Sequence, residues 1–153
     1  MGFADELAKN TKSKQQIKAE KQAQEAKLYN AWQAVLPDIV EYEALEILRF
    51  CTETAKGGKR SYAHCFKAPD FFRHYCDAPL RVVDLCGGVK FSYTQEPQAY
   101  LDAGEYYEAN GGSELITALM DRLRKEGLDV KLSSGSLLGL INDGPRTYIK
   151  IKW

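Results

Sequence analysis

The C-terminal stretch 113–153 constrains the fold more than any other part of the chain. Its first third carries apolar side chains at the spacing of one helix face, namely Leu115, Ile116, Leu119, Met120 and Leu123. We expect Ser113 to cap this helix and Gly127 to end it in a left-handed conformation. The spacing then changes to two over 128–132 and again over 147–153. A one-sided helix and one-sided strands must bury their apolar faces, so the stretch predicts a helix–strand–strand unit.

A second region with the same order of elements precedes it. A short helix predicted over 69–75 leads into two β-rich runs within 80–94, and two adjacent glycines separate these runs. A tight hairpin turn needs the positive φ that glycine adopts without strain, so 80–94 is predicted to be a hairpin. Alternating residues at 61–68 predict one more strand, and a proline at a first helical position predicts a helix over 97–108. Two helix–strand–strand units indicate an α+β fold with a mostly antiparallel sheet.

The N-terminal part of the chain is predicted to be helical. Residues 1–27 consist mainly of Ala, Lys, Gln and Glu, and from Lys9 onward six lysines stand against two glutamates. The helical pattern becomes amphipathic over 28–56, where Pro37 is expected to break or restart the helix. We therefore predict a basic helical arm at 1–27 and a single α+β domain at 28–153.

Composition excludes several classes of function. The formal net charge of this 153-residue chain is zero, so no overall field draws it to nucleic acid or membrane. The longest apolar run is too short to cross a bilayer, and the N-terminus lacks the apolar core of a signal peptide. We therefore expect a cytoplasmic protein with four reduced cysteines and no membrane partner.

The clustering of histidine and cysteine raises the possibility of a metal site. Zinc takes four such ligands in a tetrahedron, and the candidate ligands are His64, Cys65, His74 and Cys76. The usual two-residue-spaced cysteine pairs are absent, and neighbouring residues of a strand point to opposite faces. Cysteine is also a common core residue. We therefore predict no metal and no cofactor.

No motif in the sequence predicts catalysis. The run Val82–Gly88 resembles the glycine turn of Rossmann-type methyltransferases, but it lacks the third spaced glycine and leads into a predicted strand, not a helix. A cysteine–histidine nucleophile would need a base and an orienting group, and no family signature surrounds any cysteine. The chain is therefore predicted not to be an enzyme, and no small-molecule ligand is identified.

Two segments of opposite charge suggest binding surfaces. Residues 56–81 are basic and rich in aromatics, as single-stranded nucleic acid requires. Residues 91–121 are acidic and rich in tyrosine, which suits a protein partner with a basic patch. Nucleic-acid contacts would involve Lys59, Arg60, Tyr62, Lys67 and Arg73, assisted by the basic arm and by Lys150 and Lys152. Protein contacts would involve Tyr100, Glu105, Tyr106 and Tyr107, with Leu137 and Leu138 of an apolar loop. Alternatively, the two segments face each other and their aromatics form core.

The two ends of the chain carry a resemblance. The opening Phe3-Ala4-x-x-Leu7-x-x-x-Thr11-Lys12 and the last strand Tyr148-Ile-Lys-Ile-Lys-Trp153, which follows Glu126-Gly127-Leu128-x-Val130, resemble small uncharacterised proteins of prophages and mobile elements in Gram-positive gut bacteria. The resemblance does not cover the middle of the chain. It implies an α+β fold and a cytoplasmic location, and it carries no catalytic residues. Proteins of such elements often bind host machinery, which favours a binding role.

These observations predict a non-enzymatic binding protein. It would act on a protein partner or associate with itself through its N-terminal helices. The second interpretation is a nucleic-acid-binding protein that uses 56–81, and the third is a small enzyme.

Overall fold

The computed structural model describes residues 2–66, 71–72, 75, 83–85, 88–134 and 147–153. The helices are α1 (Phe3–Asn10), α2 (Lys14–Lys56), α3 (Pro97–Asn110) and α4 (Ser113–Arg124). The strands are β1 (Ser61–Phe66), β2 (Val83–Leu85), β3 (Val89–Phe91), β4 (Asp129–Ser134) and β5 (Thr147–Lys152). Phe71, Phe72 and Tyr75 are also helical, within the helix predicted at 69–75. The predicted α+β class is confirmed.

Helix α2 is the element on which the others pack. Its residues Trp32, Val35, Ile39, Tyr42 and Ile47 are almost completely buried. The helices α3 and α4 and the strand β1 all lie against it. The amphipathic pattern predicted from residue 28 onward is the stripe that makes these contacts.

The prediction that Pro37 breaks or restarts the helix is wrong, because α2 runs without interruption from Lys14 to Lys56. Proline has no N–H and leaves the carbonyl of Gln33 without its helical donor. Both Pro37 and Gln33 are exposed, so water can bond that carbonyl. Val35 and Ile39 are fully buried on either side, and this packing keeps the chain helical through the proline position.

The main sheet has the strand order β1-β5-β4, and both pairings are antiparallel. The register places Tyr62 opposite Ile151, and Ile151 opposite Val130, so these three side chains share one face. That inner face packs on α2 and α4 in an apolar cluster of Ala44, Ile47, Cys51, Leu119, Met120, Leu123, Val130, Ile149 and Ile151. The predicted C-terminal unit therefore forms, and β1 completes its sheet.

The predicted hairpin is present as a separate two-stranded sheet, in which β2 and β3 pair antiparallel with Leu85 opposite Val89. Gly88 has a φ of +110°, as a glycine turn requires. A strand follows the glycines, so the arrangement differs from the strand–turn–helix of a methyltransferase site. Phe91 of β3 joins Tyr42 and Phe71 in a second, aromatic core cluster.

The structure confirms the predicted C-terminal end of α4 but not its predicted N-terminal cap. Gly127 has a φ of +82° and lies just beyond the helix, as predicted. Ser113 was predicted to be the cap, but Gly112 holds that position and Ser113 is already helical. The side chain of Glu114, in the first turn, instead accepts hydrogen bonds from Trp32 Nε1 at 3.2 Å and Gln33 Nε2 at 3.1 Å.

Candidate functional site

The arm formed by α1 and the start of α2 is exposed along its whole length. Every residue from 2 to 27 is solvent-exposed, and α1 buries none of its side chains. Ser13 caps α2, since its Oγ accepts from Gln16 N at 3.1 Å while Gln16 Oε1 accepts from Ser13 N at 2.9 Å. Three large apolar side chains of the arm face solvent: Phe3, Leu7 and Ile17 are 75%, 53% and 54% exposed. The arm therefore carries an apolar face without an intramolecular contact that buries it.

The charges of the arm are only partly paired. Lys12 and Glu20 form an ion pair at 2.8 Å, and Lys21 lies 4.0 Å from Glu25. Lys14 and Lys18 make no ion pair with any residue that the structure describes. The arm thus presents positive charge beside its apolar side chains.

Tyr100, predicted to contact a partner, is only 1% exposed, so that prediction is wrong. Tyr106 and Tyr107 are half-buried because their rings stack on Trp32, at centroid distances of 5.5 and 5.8 Å. Glu105 is exposed, as a partner contact requires. The two leucines of the predicted contact loop, at 137 and 138, lie outside the described residues. These three tyrosines are therefore buried or half-buried by ring packing. Tyr106 and Tyr107 pack on Trp32, and Tyr100 packs on Phe71, Tyr75 and Tyr93.

A groove runs along the outer side of α3. Its volume is about 250 Å³, and it is lined by Phe72, Tyr75, Tyr100, Leu101, Gly104, Glu105 and Glu108. Leu101 is 49% exposed in this groove. The Phe72 ring packs against α3 at Gly104, where a Cβ would lie at the ordinary van der Waals distance of 3.5 Å from the ring. The carboxylates of Glu105 and Glu108 form no ion pair among the described residues. The groove is therefore lined by apolar side chains together with two acidic ones.

A buried carboxylate fixes the position of this groove. Asp38 is 6% exposed and accepts hydrogen bonds from Thr94 N at 3.1 Å, from Thr94 Oγ1 at 2.8 Å and from the Tyr100 hydroxyl at 2.8 Å. The Tyr100 oxygen in turn accepts from Gln95 N at 2.6 Å. Burial raises the pKa of Tyr100 to about 12, and the hydrogen bond to Asp38 acts in the same direction. The network ties the segment before α3 to α2.

The sequence analysis does not single out Asp38, although its position in the helical pattern indicates burial. Asp38 lies three residues after Val35 and four before Tyr42, so it belongs to the buried stripe. A carboxylate in such a stripe needs hydrogen-bond donors.

The aromatics of the predicted nucleic-acid segment are mostly core. Phe71 and Tyr75 are buried, while Tyr62 is half-buried, stacks on Phe50 at 5.7 Å and hydrogen-bonds His64 Nδ1 at 3.2 Å. Burial raises the pKa of Tyr62. Lys67 and Arg73 lie outside the described residues. Segment 56–81 therefore does not offer its described aromatics to bases, and this correction follows from their apolar packing.

The remaining predicted basic residues meet at the sheet. Lys150 and Lys152 alternate with the buried Ile149 and Ile151, so they project from the outer face of β5. Lys59 and Arg60 lie at one end of this sheet with Trp153, and with Ala55 and Gly58 these three residues line a surface pocket of about 460 Å³. The backbone N–H of Trp153 donates to the Arg60 carbonyl at 3.3 Å.

The metal and nucleophile candidates do not form a described site. His64 and Cys65 are neighbours in β1 and so lie on opposite faces, while His74 and Cys76 lie outside the described residues. No group of three or more metal-ligand side chains occurs in the part of the chain that the structure describes. Burial raises the pKa of the Cys51 thiol to about 11, so it is protonated at neutral pH and unsuited to nucleophilic attack.

Comparison of the chain with protein-family models, with curated proteins and with solved structures finds no match. The resemblance of its two ends to prophage and mobile-element proteins therefore stays a prediction. Among the described residues, no helix combines the length and the apolar character needed to span a bilayer.

Proposed function

We propose that this protein is a non-enzymatic binding protein that acts through its N-terminal arm, and that the arm binds a second copy of the same chain. The observation that carries the proposal is that every residue from 2 to 27 is exposed, including the apolar Phe3, Leu7 and Ile17. An isolated helix of eight residues such as α1 is marginal in water. It gains stability when its apolar face is covered.

The groove on α3 complements the arm chemically. Its lining includes the apolar Leu101 and Phe72, which suit the apolar face of α1, and the acidic Glu105 and Glu108. Lys14 and Lys18 of the arm, which form no ion pair with a described residue, supply the opposite charge. Burying one large apolar side chain contributes about 1.5–3 kcal/mol, and a two-fold symmetric exchange of arms makes each contact twice.

The second part of the arm is a regular helix. Residues 14–27 form a continuous helical rod that extends about 21 Å at 1.5 Å per residue. This rod belongs to the same uninterrupted helix as the buried half of α2, and all of its residues are exposed. The apolar side chains of the arm are therefore accessible to a second molecule.

Size-exclusion chromatography with light scattering, at low and at high salt, tests the proposal. We expect a dimer at both salts, with an absorbance ratio typical of protein, because apolar contacts persist when salt screens the charges. Leu7→Glu and Leu101→Glu change opposite sides of the contact, and each is expected to give a monomer.

Val89→Glu is the matched control, because Val89 is a comparably exposed apolar side chain on the hairpin strand β3 and does not line the groove. It is expected to leave the dimer intact. A monomer for the unaltered protein at concentrations above about 100 μM would overturn the proposal, since that weak an affinity corresponds to less than about 6 kcal/mol. A dimer that survives both Leu7→Glu and Leu101→Glu would also overturn it.

A further inference from the structure

A pocket at one end of the three-stranded sheet is a second candidate site, separate from the arm. It has a volume of about 460 Å³ and is lined by Ala55, Gly58, Lys59, Arg60 and Trp153. We call it the Trp153 pocket. Its volume lies within the range of small-molecule sites, and no acidic side chain is among the described residues that line it. The pocket therefore combines two cations with one aromatic ring.

The pairing of β1 with β5 places the ring and the guanidinium side by side. Ser61 lies opposite Lys152, and one step further along the same ladder the N–H of Trp153 donates to the Arg60 carbonyl at 3.3 Å. Residues directly opposite each other on antiparallel strands share a face, with their Cβ atoms about 5 Å apart. Because side chains alternate along a strand, Trp153 lies on the inner face with Ile151. Arg60 and Trp153 are therefore neighbours on this inner face.

The turn after α2 fixes the backbone beside this pair. The N–H of Gly58 donates to the Ala55 carbonyl at 2.9 Å, and the N–H of Lys59 donates to the Thr54 carbonyl at 3.3 Å. Gly58 has a φ of +84°, which glycine adopts without strain. The last carbonyls of a helix attract cations when they have no donor, but these two already have backbone donors. The Lys59 side chain is therefore not required to cap α2.

The side chains of the pocket are not engaged by the described part of the protein. Lys59 and Arg60 form no ion pair, and the Trp153 indole makes no ring contact, with any residue that the structure describes. The last acid of α2, Glu53, lies 3.5 Å from Lys56. Even with the α-carboxylate of Trp153 counted, two cations leave the pocket with a net positive charge. Trp153 is also 39% exposed, so its ring is accessible to a ligand.

This combination matches the chemistry of a nucleotide. Every base has a planar face that stacks on an exposed aromatic ring, and the phosphate needs cations. The planar guanidinium of Arg60 suits two phosphate oxygens at once, and the ammonium of Lys59 adds a point charge. An acidic peptide would use the cations but would leave the ring without a stacking partner. Since no amide or carboxylate side chain is among the described lining residues, the pocket should accept different bases.

We infer that the Trp153 pocket binds one nucleotide unit, with its base stacked on Trp153 and its phosphate held by Lys59 and Arg60. The unit is a free nucleotide or one nucleotide of a single strand, since both present the same chemistry. The site keeps two cations of the sequence-based prediction over 56–81 and uses Trp153 in place of the buried aromatics. Lys152 lies on the opposite face of the sheet and takes no part. The binding does not depend on the arm.

Fluorescence titration with adenosine monophosphate tests the inference. The chain has two tryptophans, and Trp32 is 1% exposed, so stacking of a base would quench the emission of Trp153 alone. We expect saturable quenching in the unaltered protein. Trp153→Phe should lose the quenching but still bind in calorimetry, because phenylalanine keeps a ring for stacking. Trp153→Ala is expected to weaken binding at least about fivefold.

Substitution of the cations tests the phosphate contact. Lys59→Gln and Arg60→Gln are each expected to weaken binding at least about fivefold, because each removes a charge-assisted hydrogen bond. Adenosine, which has no phosphate, should bind at least about tenfold more weakly than adenosine monophosphate. Lys152→Gln is the matched control, because Lys152 directly precedes Trp153 but points to the other face, and its affinity should stay within about twofold at physiological salt. All variants must keep the thermal unfolding midpoint of the unaltered protein.

A single-stranded oligo(dA) distinguishes the two sources of the nucleotide. Binding at least about tenfold tighter than that of adenosine monophosphate, with the same quenching of Trp153, would assign the pocket to a single strand, whose further phosphates add contacts. Equal affinity for the two ligands would assign the pocket to a free nucleotide. Either result supports the inferred site.

Three results would overturn the inference. The first is no quenching of Trp153 by adenosine monophosphate at about 5 mM, since the inferred site needs a dissociation constant of about 1 mM or below. The second is equal affinity for adenosine and adenosine monophosphate, which would exclude a phosphate contact. The third is a loss of affinity in Lys152→Gln as large as in Lys59→Gln, which would place the ligand outside the pocket.

Discussion

The two halves of α2 are one continuous helix with opposite environments. Residues 14–27 are exposed on all sides, whereas the half that follows buries Trp32, Val35 and Ile39. The change occurs within one turn, where Lys27 lies 3.7 Å from Asp102 and Tyr29 packs edge-on against Tyr106 at 5.8 Å. The intrinsic helix propensity of its residues stabilises the first half, whereas tertiary packing stabilises the second. Stability and binding can therefore reside in different parts of the same element.

The largest effect is expected from comparing deletions at the two ends of the chain. Removing Ile151–Trp153 takes the buried Ile151 out of β5, the central strand, so we expect the domain not to fold. Removing residues 2–10 deletes only exposed side chains and should leave the unfolding midpoint within about 2 °C. Circular dichroism against temperature measures both. A C-terminally shortened protein with an unchanged midpoint would contradict the assignment of β5 to the core.

The same substitution, isoleucine to alanine, compares how much the two halves of α2 contribute to stability. Ile39 is fully buried and Ile17 is 54% exposed, and both belong to the same helix. We expect Ile39→Ala to lower the free energy of unfolding by about 2–5 kcal/mol, because it leaves a cavity. Ile17→Ala should change it by less than about 0.5 kcal/mol. Urea unfolding gives both values, and similar losses in the two variants would show that the arm is packed.

Substitution of the buried carboxylate of Asp38 compares the buried half of α2 with the exposed arm through a polar side chain. Asp38→Asn replaces a charged acceptor of three hydrogen bonds, and we expect a loss of about 1.5–3 kcal/mol in the free energy of unfolding. Glu25→Gln on the exposed arm is the control and should have almost no effect, because its ion pair with Lys21 is exposed. An Asp38→Asn protein as stable as the control would mean that the network does not hold α3.

The pH dependence of stability sharpens the role of Tyr100. Its pKa is about 12 in the folded protein against an ordinary value of 10.0, so the folded state favours the protonated hydroxyl. Its contribution is complete below about pH 10 and is lost as the pH rises toward 12. We expect the free energy of unfolding to fall by about 1–3 kcal/mol over this range. In Tyr100→Phe this part of the fall should be absent, and an identical fall in both proteins would assign it to other groups.

The sequence predicts those elements whose apolar side chains lie on one face over several helical turns or several strand residues. The helix α4 and the strands β4 and β5 are of this kind, since Leu119, Leu123 and Val130 follow a clear period. The continuity of α2 through Pro37 was not predictable, because long-range packing by Val35 and Ile39 outweighs a local rule. The burial of Tyr100 was missed for a related reason, since tyrosine is common both in cores and on surfaces.

The sites depend on register and on distant contacts, which periodicity does not supply. The juxtaposition of Arg60 and Trp153 requires the exact pairing of β1 with β5, and a shift by one residue would place them on different faces. The groove of α3 needs Phe72 to lie against Gly104, which are 32 positions apart in the sequence. By contrast, the exposure of the arm was predictable because 1–27 offers few apolar side chains.

Amide hydrogen exchange along α2, followed at low and at high protein concentration, distinguishes the two halves of the helix and detects docking of the arm. In dilute protein, we expect slow exchange over residues 32–51 and fast exchange over 14–27, because core packing protects only the first set. At high concentration the arm, including α1, should become protected as it docks on a second molecule. Uniform protection of α2 in dilute protein would contradict the division of the helix. An arm that exchanges equally fast at both concentrations would contradict its role in self-association.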